Sequence, residues 1–363
     1  MNIGIVCGTR PEAIKQIPLY LHFKKELKHS VKLISSGQHK EMLSNVFSIF
    51  NVKPDFDFEV MKKNQNLNEL ASKVILASHN LFQSNQFSHV IVQGDTTTAA
   101  MIALSAFQSN IKVLHNEAGL RSHDIYNPFP EEANRKIISS IADQHFTPTN
   151  LSFQNLLKEN ITKEKIHVVG NTGIDSLLWI LKNKKPSPYV SELLNESKKV
   201  ILLTAHRRES TTENFERCFH DIDLFLKKNS NYRVLFPAHP NKRTSTASDK
   251  YFAGNPNVNE TKPFSYTDLC HILKATDFVI TDSGGIQEEA VTLGKPTVVF
   301  RETTERSEGI DAGLAKLAKP SEINSLEKAF KWAANYTKNT ENTLPFGDGN
   351  SSKRIFDIFK KNV

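Results

Sequence analysis

The sequence predicts an α/β fold of two doubly wound parallel-sheet domains, and three observations carry that prediction. The chain has 363 residues, more than one hydrophobic core usually serves, so two domains are expected. Short runs of β-branched and aliphatic residues alternate with longer amphipathic stretches, which is the βα repeat of a parallel sheet. Those short runs are nearly continuous in apolar residues, as strands covered on both faces read. The pattern weakens across residues 182–197, rich in Lys, Pro, Ser and Asn, and resumes at Lys199.

Taken in order, residues 2–7, 31–35, 89–92, 112–115 and 145–147 are predicted strands of the first half. In the second half, 200–203, 233–236, 277–281 and 296–300 read likewise. Amphipathic segments such as 13–26, 67–83 and 98–108 supply the helices between them. The chain is expected to cross between domains near Gly170. Ligands of open α/β sheets sit beyond the carboxyl ends of the strands. With two such domains the active site is expected in the cleft between them, and polar clusters just after predicted strands become the candidates.

Composition narrows the function. The hydrophobic fraction is 39%, with no apolar run of the roughly 20 residues a membrane span needs. Residues 1–7 carry no basic stretch followed by a long apolar one, so they read as a first strand and not a secretion signal. The cysteines, Cys7, Cys218 and Cys270, are odd in number and far apart, which argues against a disulfide framework or a zinc site. A cytoplasmic protein is the simplest expectation. A net charge of +7 suits an anionic partner. Its lysines are scattered, with local clusters at Lys24–Lys25 and Lys182–Lys185, and form no stripe interleaved with aromatics, so nucleic acid is not expected.

The first strand ends in Gly8-Thr9-Arg10-Pro11-Glu12, with Lys15 one turn on. A glycine turn, proline in the first helical turn and outward backbone N–H groups suit an anion, and Arg10 and Lys15 add charge. A plain strand–helix turn with two solvent-facing bases reads the same way. Asp95, after the third strand, is followed by three threonines, and such an aspartate is often the N-cap of the next helix. Glu117 follows the fourth strand in the same manner. Glu131 and Glu132 open a helix behind Pro128 and Pro130, where carboxylates also suit the helix dipole. Several carboxylates gathered on one rim repel each other, and acid–base chemistry is a good reason to bear that cost.

In the second half, His206-Arg207-Arg208 and His239 follow predicted strands, as anion binders or proton donors would. Thr281-Asp282-Ser283-Gly284-Gly285 is a strand, two glycines and a helix start, the arrangement that cradles phosphate oxygens. An acidic residue one turn later can reach ribose hydroxyls. The motif is neither GxGxxG nor a P-loop, so NAD and ATP are poorly supported. Arg301 and Arg306 follow the last strong strand and offer two more guanidiniums.

Together these segments resemble the non-hydrolysing UDP-N-acetylglucosamine 2-epimerase family, across nearly the whole chain and in order. The resemblance runs through GTRPEAIK, GQHKEML, GDTTT, EAGLRS, PFPEEANR, FTPT, GNTGIDSL, HRRES, TDSGGIQEEA, GKPTVV, TTER and FGDG. It implies two Rossmann-like domains of the glycosyltransferase-B type, 1–169 with a returning helix at 351–363, and 170–350 holding UDP. It further implies reversible conversion of UDP-N-acetylglucosamine to UDP-N-acetylmannosamine for surface polysaccharide, by elimination of UDP to a 2-acetamidoglucal and its re-addition. By the same resemblance Asp95, Glu117, Glu131 and His206 match the catalytic residues. Arg10, Lys15 and Arg306 match ligand-binding cations, Ser283, Gly284 and Gly285 the diphosphate cradle, and Glu289 the ribose ligand. No metal or redox cofactor is implied, and a homodimer is.

The family also has a regulatory UDP-N-acetylglucosamine site. Gln38, Gln65, Glu131, Arg207 and His239 fall where its residues are expected, while Glu41 and Asn64 stand where some members carry Gln and Arg. For the uracil-stacking position, Leu269 falls at the simple alignment, with Phe264 and Tyr266 nearby.

Four other readings are distinguishable. Hydrolysing epimerases release N-acetylmannosamine and UDP, and usually open differently and lack PFPEEANR. Epimerases of modified UDP-sugars share most motifs. A glycosyltransferase of this fold would not explain so many carboxylates in the first domain. A non-catalytic sensor would be expected to lose some of Asp95, Glu117, Glu131 and His206.

Overall fold

A computed structural model describes residues 2–37, 40–62, 65–205, 211–238, 242–337 and 344–362. These form two compact units, Met1–Leu178 with Phe346–Val363, and Trp179–Pro345.

The first unit contains β1 (Asn2–Cys7), α1 (Arg10–Leu27), β2 (Val31–Ser35), α2 (Lys40–Phe50), β3 (Phe56–Asp57), α3 (Leu67–Ser84), β4 (Phe87–Gln93) and α4 (Thr97–Gln108). There follow β5 (Lys112–Asn116), α5 (Glu131–Ile141), β6 (Gln144–Thr147), α6 (Asn150–Lys158), β7 (Ile166–Val168) and the start of α7 (Thr172–Asn183), which continues past the end of the unit at Leu178. Its seven strands are all parallel, in the order β3-β2-β1-β4-β5-β6-β7. The order reverses between β1 and β4, so the crevice at their carboxyl ends is the topological switch point.

The second unit holds α8 (Pro188–Leu194), β8 (Lys199–Thr204), α9 (Thr212–Lys228), β9 (Tyr232–Pro237), α10 (Lys242–Tyr251), β10 (Val258–Thr261), α11 (Tyr266–Ala275) and β11 (Phe278–Thr281). It continues with α12 (Gly284–Thr292), β12 (Thr297–Phe300), α13 (Glu308–Asp311), β13 (Ala315–Ala318) and α14 (Ser325–Ala334). Six parallel strands lie in the order β10-β9-β8-β11-β12-β13. The switch point here lies between β8 and β11.

The continuous apolar runs have the cause inferred from them. Successive strand residues point to opposite faces. In β8, Ile201 and Leu203 join one core cluster with Phe215, Phe219, Phe236 and Phe300, while Val200 and Leu202 join another with Ile272, Leu273 and Ala290. Both faces are therefore covered. In the first unit, Val90 and Val92 of β4 pack with Ala99, Ile102 and Ala103 of α4 and with Leu70 and Val74 of α3.

The last helix, α15 (Ser351–Asn362), returns to the first unit and packs on α1. Phe356 meets Phe23 edge-on at 5.0 Å between ring centroids, and Phe359 meets His89 at 5.1 Å. Asp175 caps this helix by accepting from the Ser351 and Ser352 N–H groups, at 3.1 and 2.7 Å.

The boundary differs from the expected 169/170. Gly170 lies within the first unit, its α-carbon so close to the returning chain that a Cβ would stand 2.6 Å from Ser351 Oγ. Thr172 accepts from Asn116 at 3.0 Å, and Ser176 donates to the Ile14 carbonyl at 2.5 Å. These contacts hold the start of α7 to the first sheet, and the unit runs to Leu178 and resumes at Phe346, before the expected 351. No helix among the described residues is long and apolar enough to cross a membrane.

Candidate active site

In the first unit the candidates gather at the carboxyl ends of β1, β4 and β5. The turn after β1 departs from expectation. Thr9 is the N-cap of α1, and the Glu12 carboxylate folds back to accept from the N–H groups of Gly8 and Thr9, both at 2.7 Å. This capping box occupies the N–H groups of Gly8, Thr9 and Glu12. Thr96 donates to the other Glu12 oxygen at 2.6 Å, tying the β1 turn to the β4 turn. Burial pushes the Glu12 carboxyl upward, against the hydrogen bonds from Thr96, Gly8 and Thr9. Arg10, the first residue of α1, is half-buried, with no side-chain hydrogen bond among the described residues.

Asp95 does not cap the following helix. Thr96 does so, accepting from Ala99 N at 3.0 Å. Asp95 is instead gripped by Arg135, whose Nε and one terminal nitrogen donate to Oδ2 at 2.9 and 2.6 Å. The other terminal nitrogen of Arg135 donates to Glu132 at 2.8 Å, and Asn134 donates to the Asp95 carbonyl at 2.9 Å. Burial works against the Arg135 charge, but Asp95 and Glu132 more than offset it, and its pKa is raised.

Glu117 accepts from Lys15 and from the Gln93 side-chain amide. Its backbone is left-handed, φ 61°, which costs a residue with a side chain. The Asn116 side chain accepts from the Glu117 N–H at 3.0 Å and is held by bonds to Gln16 and Thr172, so this backbone is fixed from beneath. Glu131 opens α5, four residues before Arg135 and on the same helix face. One of its carboxylate oxygens, Oε2, is buried without a hydrogen-bond partner among the described residues. Lys15, Asp95, Glu117 and Glu131 thus share one rim. Carboxylates gathered on one rim, two of them held by cationic side chains, are an arrangement suited to moving protons.

In the second unit, β11 runs out at Thr281 beside Thr204 at the end of β8, their hydroxyls 2.6 Å apart. Ser283 stands at the N-cap of α12, with Gly284 and Gly285 its first two residues. The leading N–H groups of a helix have no partner within it, and Gly285 has open space where a side chain would stand. A Cβ on Gly284 would lie 2.5–2.8 Å from the Arg306 guanidinium, so glycine is required for that group to lie over the helix start. Arg306 and Arg301 are each ion-paired within the unit. Arg306 Nε donates to Glu288 at 2.7 Å, and Arg301 to Glu305 at 2.7 Å. Burial raises the Glu305 carboxyl, but the Arg306 and Arg301 charges overcome that and hold it near 2. Glu289 is buried and accepts from Tyr266 at 2.7 Å. Tyr266 is thereby committed, and Phe264 and Leu269 pack against the core.

His206, Arg207, Gln38, His239 and Asn64 lie outside the described residues. Gln65 accepts from the Lys62 N–H at 3.1 Å and from Lys73 at 2.8 Å, and its amide nitrogen is buried without a partner among the described residues. The sequence singled out no role for Gln93, Asn116, Arg135 or Glu288, and it did not foresee that Glu132 and Tyr266 would orient other candidates. Only Arg135 had a usable signal, its helical spacing from Glu131.

Fold and site define a class: an α/β protein of two doubly wound units, one with a rim of carboxylates at its strand ends, the other with a glycine-rich helix start flanked by arginine. The profile of the UDP-N-acetylglucosamine 2-epimerase family matches residues 22–360. The chain belongs to that family. It is 40% identical over 360 residues to the UDP-N-acetylglucosamine 2-epimerase of Bacillus subtilis, covering 98% of this chain and 94% of the relative. Identity to the Campylobacter jejuni enzyme of that name is 39% over 373 residues, covering 99% and 97%. A crystal structure of the Neisseria meningitidis UDP-GlcNAc 2-epimerase bound to UDP-GlcNAc matches with a TM-score of 0.90 at 37% identity, all of both chains covered.

Proposed function

We propose that this protein interconverts UDP-N-acetylglucosamine and UDP-N-acetylmannosamine by elimination and re-addition of UDP. The observation that carries the reading is the rim itself, where Asp95 is gripped by Arg135, Glu117 by Lys15 and Gln93, and Glu131 keeps a buried carboxylate oxygen without a donor among the described residues. Inversion at C2 needs this. A base takes the C2 proton as the C1–O bond to the diphosphate breaks, the electron pair of the C–H bond becoming the C1–C2 double bond of the glycal. UDP leaves as an anion. Its diphosphate oxygen then re-adds to C1 while an acid returns a proton to the opposite face of C2.

Asp95, Glu117 and Glu131, with His206, are the proposed acid–base set. Ser283, Gly284, Gly285 and Arg306 are proposed to hold the departing diphosphate, where helix-start N–H groups meet developing charge. Glu289 serves the ribose hydroxyls, and Arg10 and Lys15 add cationic stabilisation. A cytoplasmic homodimer feeding surface polysaccharide synthesis is part of the same reading.

Incubation with UDP-N-acetylglucosamine, followed by anion-exchange separation, tests it. UDP-N-acetylmannosamine at equilibrium with substrate supports the reading. Accumulation of free UDP with N-acetylmannosamine would assign the hydrolysing reaction, and no reaction on this sugar with turnover of a modified one would reassign the substrate.

A further inference from the structure

His115 lies on β5 two residues before Glu117, fully buried, with its Nε2 2.8 Å from the Gly94 carbonyl oxygen. A carbonyl only accepts, so the proton resides on Nε2. Nδ1 is then a buried lone pair, and it has no hydrogen-bond partner among the described residues. His145, its register neighbour on β6, is likewise buried, with neither ring nitrogen partnered among the described residues. A phenylalanine would fill the His115 space without burying an unpartnered ring nitrogen. What the imidazole adds over a carbon ring is its one bond to Gly94.

That bond falls at a sensitive place. Gly94 joins Gln93, whose amide donates to Glu117, to Asp95, which Arg135 grips. Its φ is +68°, and a Cβ on it would stand 3.2 Å from Glu117 Oε2. The Gly94 N–H is fastened to the Asn116 carbonyl at 3.0 Å. With His115 on its carbonyl, the residue is pinned to β5 on both sides, beyond the point where the regular β4–β5 pairing ends at Gln93 and Asn116. Freed of one pin, a glycine in this region of φ/ψ space can rotate its following peptide, and that peptide carries Asp95.

We propose that His115 is a positioning residue, pinning the Gly94 peptide so that Asp95 and Glu117 keep the spacing the C2 chemistry requires. It rests on the epimerase reading given above. His115 meets no substrate in this scheme and exchanges no proton with it.

The test compares His115→Phe, which keeps the ring and loses the donor, with His115→Gln, whose amide N–H extends to about the reach of Nε2. H115F is expected to lower kcat about 10- to 100-fold, as a displacement of roughly 1 Å does, with KM within twofold and UDP affinity by calorimetry unchanged. Amide exchange in the peptide covering residues 93–97 should quicken. H115Q should restore most of kcat and slow exchange again, which a purely space-filling role would not predict. Should H115F fail to fold, His115→Asn, whose amide is too short to reach, takes its place. Wild-type kcat with unchanged exchange in the variant lacking the donor overturns the proposal, as does an H115Q protein no better than H115F. Wild-type protein inactive on every UDP-sugar would overturn the epimerase reading instead, while amide exchange still decides whether His115 pins Gly94.

Discussion

Replacing Arg135 with methionine tests how the rim is built. Arg135 is 8% exposed and bridges two carboxylates of different standing: Glu132, whose side chain is 0% exposed, and Asp95, 26% exposed. Removing one partner of a buried ion pair costs roughly 3–5 kcal/mol, because the other charge remains buried and unpaired. The loss should be governed by Glu132, which keeps only the Ser122 N–H at 3.1 Å and already has one oxygen without a partner among the described residues. The half-open Asp95 can be rescued by water and adds little. R135M is therefore expected to lose about 3–5 kcal/mol in urea unfolding. The double variant E132M/R135M, which removes the stranded charge as well, should recover about 2 kcal/mol of that, a coupling within the range for contacting pairs. Turnover should fall about 100-fold in both, because Asp95 has lost its grip in both. Arg135→Lys keeps a charge but cannot present two nitrogens to one oxygen, and should fall between. An R135M protein within 1 kcal/mol of wild type and within threefold of its kcat would refute this.

Three further outcomes are expected. Gly284→Ala places a methyl where the Arg306 guanidinium lies, and should weaken UDP binding more than tenfold in calorimetry; equal affinity would remove Gly284 from the cradle. Burial drives the His115 pKa down to about 4 and that of His145 down to about 3, against about 6.5 in an unfolded chain. Because the folded values are depressed, their contribution to stability is complete above about pH 6.5 and is lost as the pH falls toward 4, up to about 3 kcal/mol for each. His145→Phe should flatten that decline between pH 7.5 and 5 in urea unfolding, and an unchanged slope would count against it. Phe356→Ala removes a buried ring packed edge-on against Phe23 and should cost the first unit about 3–5 kcal/mol; a loss under 1 kcal/mol would show that α15 is not anchored through this contact.

The nine strands predicted from the sequence are present in the structure, and the four that it did not suggest, β3, β7, β10 and β13, are the four sheet edges. Edge strands lack a covering neighbour on one side and need no continuous apolar run. In β3, Phe56-Asp57 is half-buried then exposed, and the four residues of β10 include none that is buried. At the rim, residues that stand directly after interior strands, Asp95 and Glu117, were legible because the strands were. The groups that orient them were not. Glu12 reads as an ordinary first-turn carboxylate until Thr96, 84 positions away, closes on it. Asn116 looks like the last residue of a strand, and only the left-handed backbone at Glu117 gives its side chain a task. The partners of Arg301 and Arg306 were not legible, because the glutamates that claim them are identified by folding, Glu288 lying on α12 and Glu305 in the loop after β12.

Proton NMR of the wild-type protein with UDP-N-acetylglucosamine in deuterated water tests the central claim most directly. The account predicts UDP-N-acetylmannosamine with deuterium at C2, deuterium appearing at C2 of the remaining substrate as the reaction reverses, and both signals lost in Asp95→Asn and Glu131→Gln. Product that retains its C2 proton would contradict an inversion by proton removal and return. Turnover unchanged in either amide variant would contradict the role given to that carboxylate.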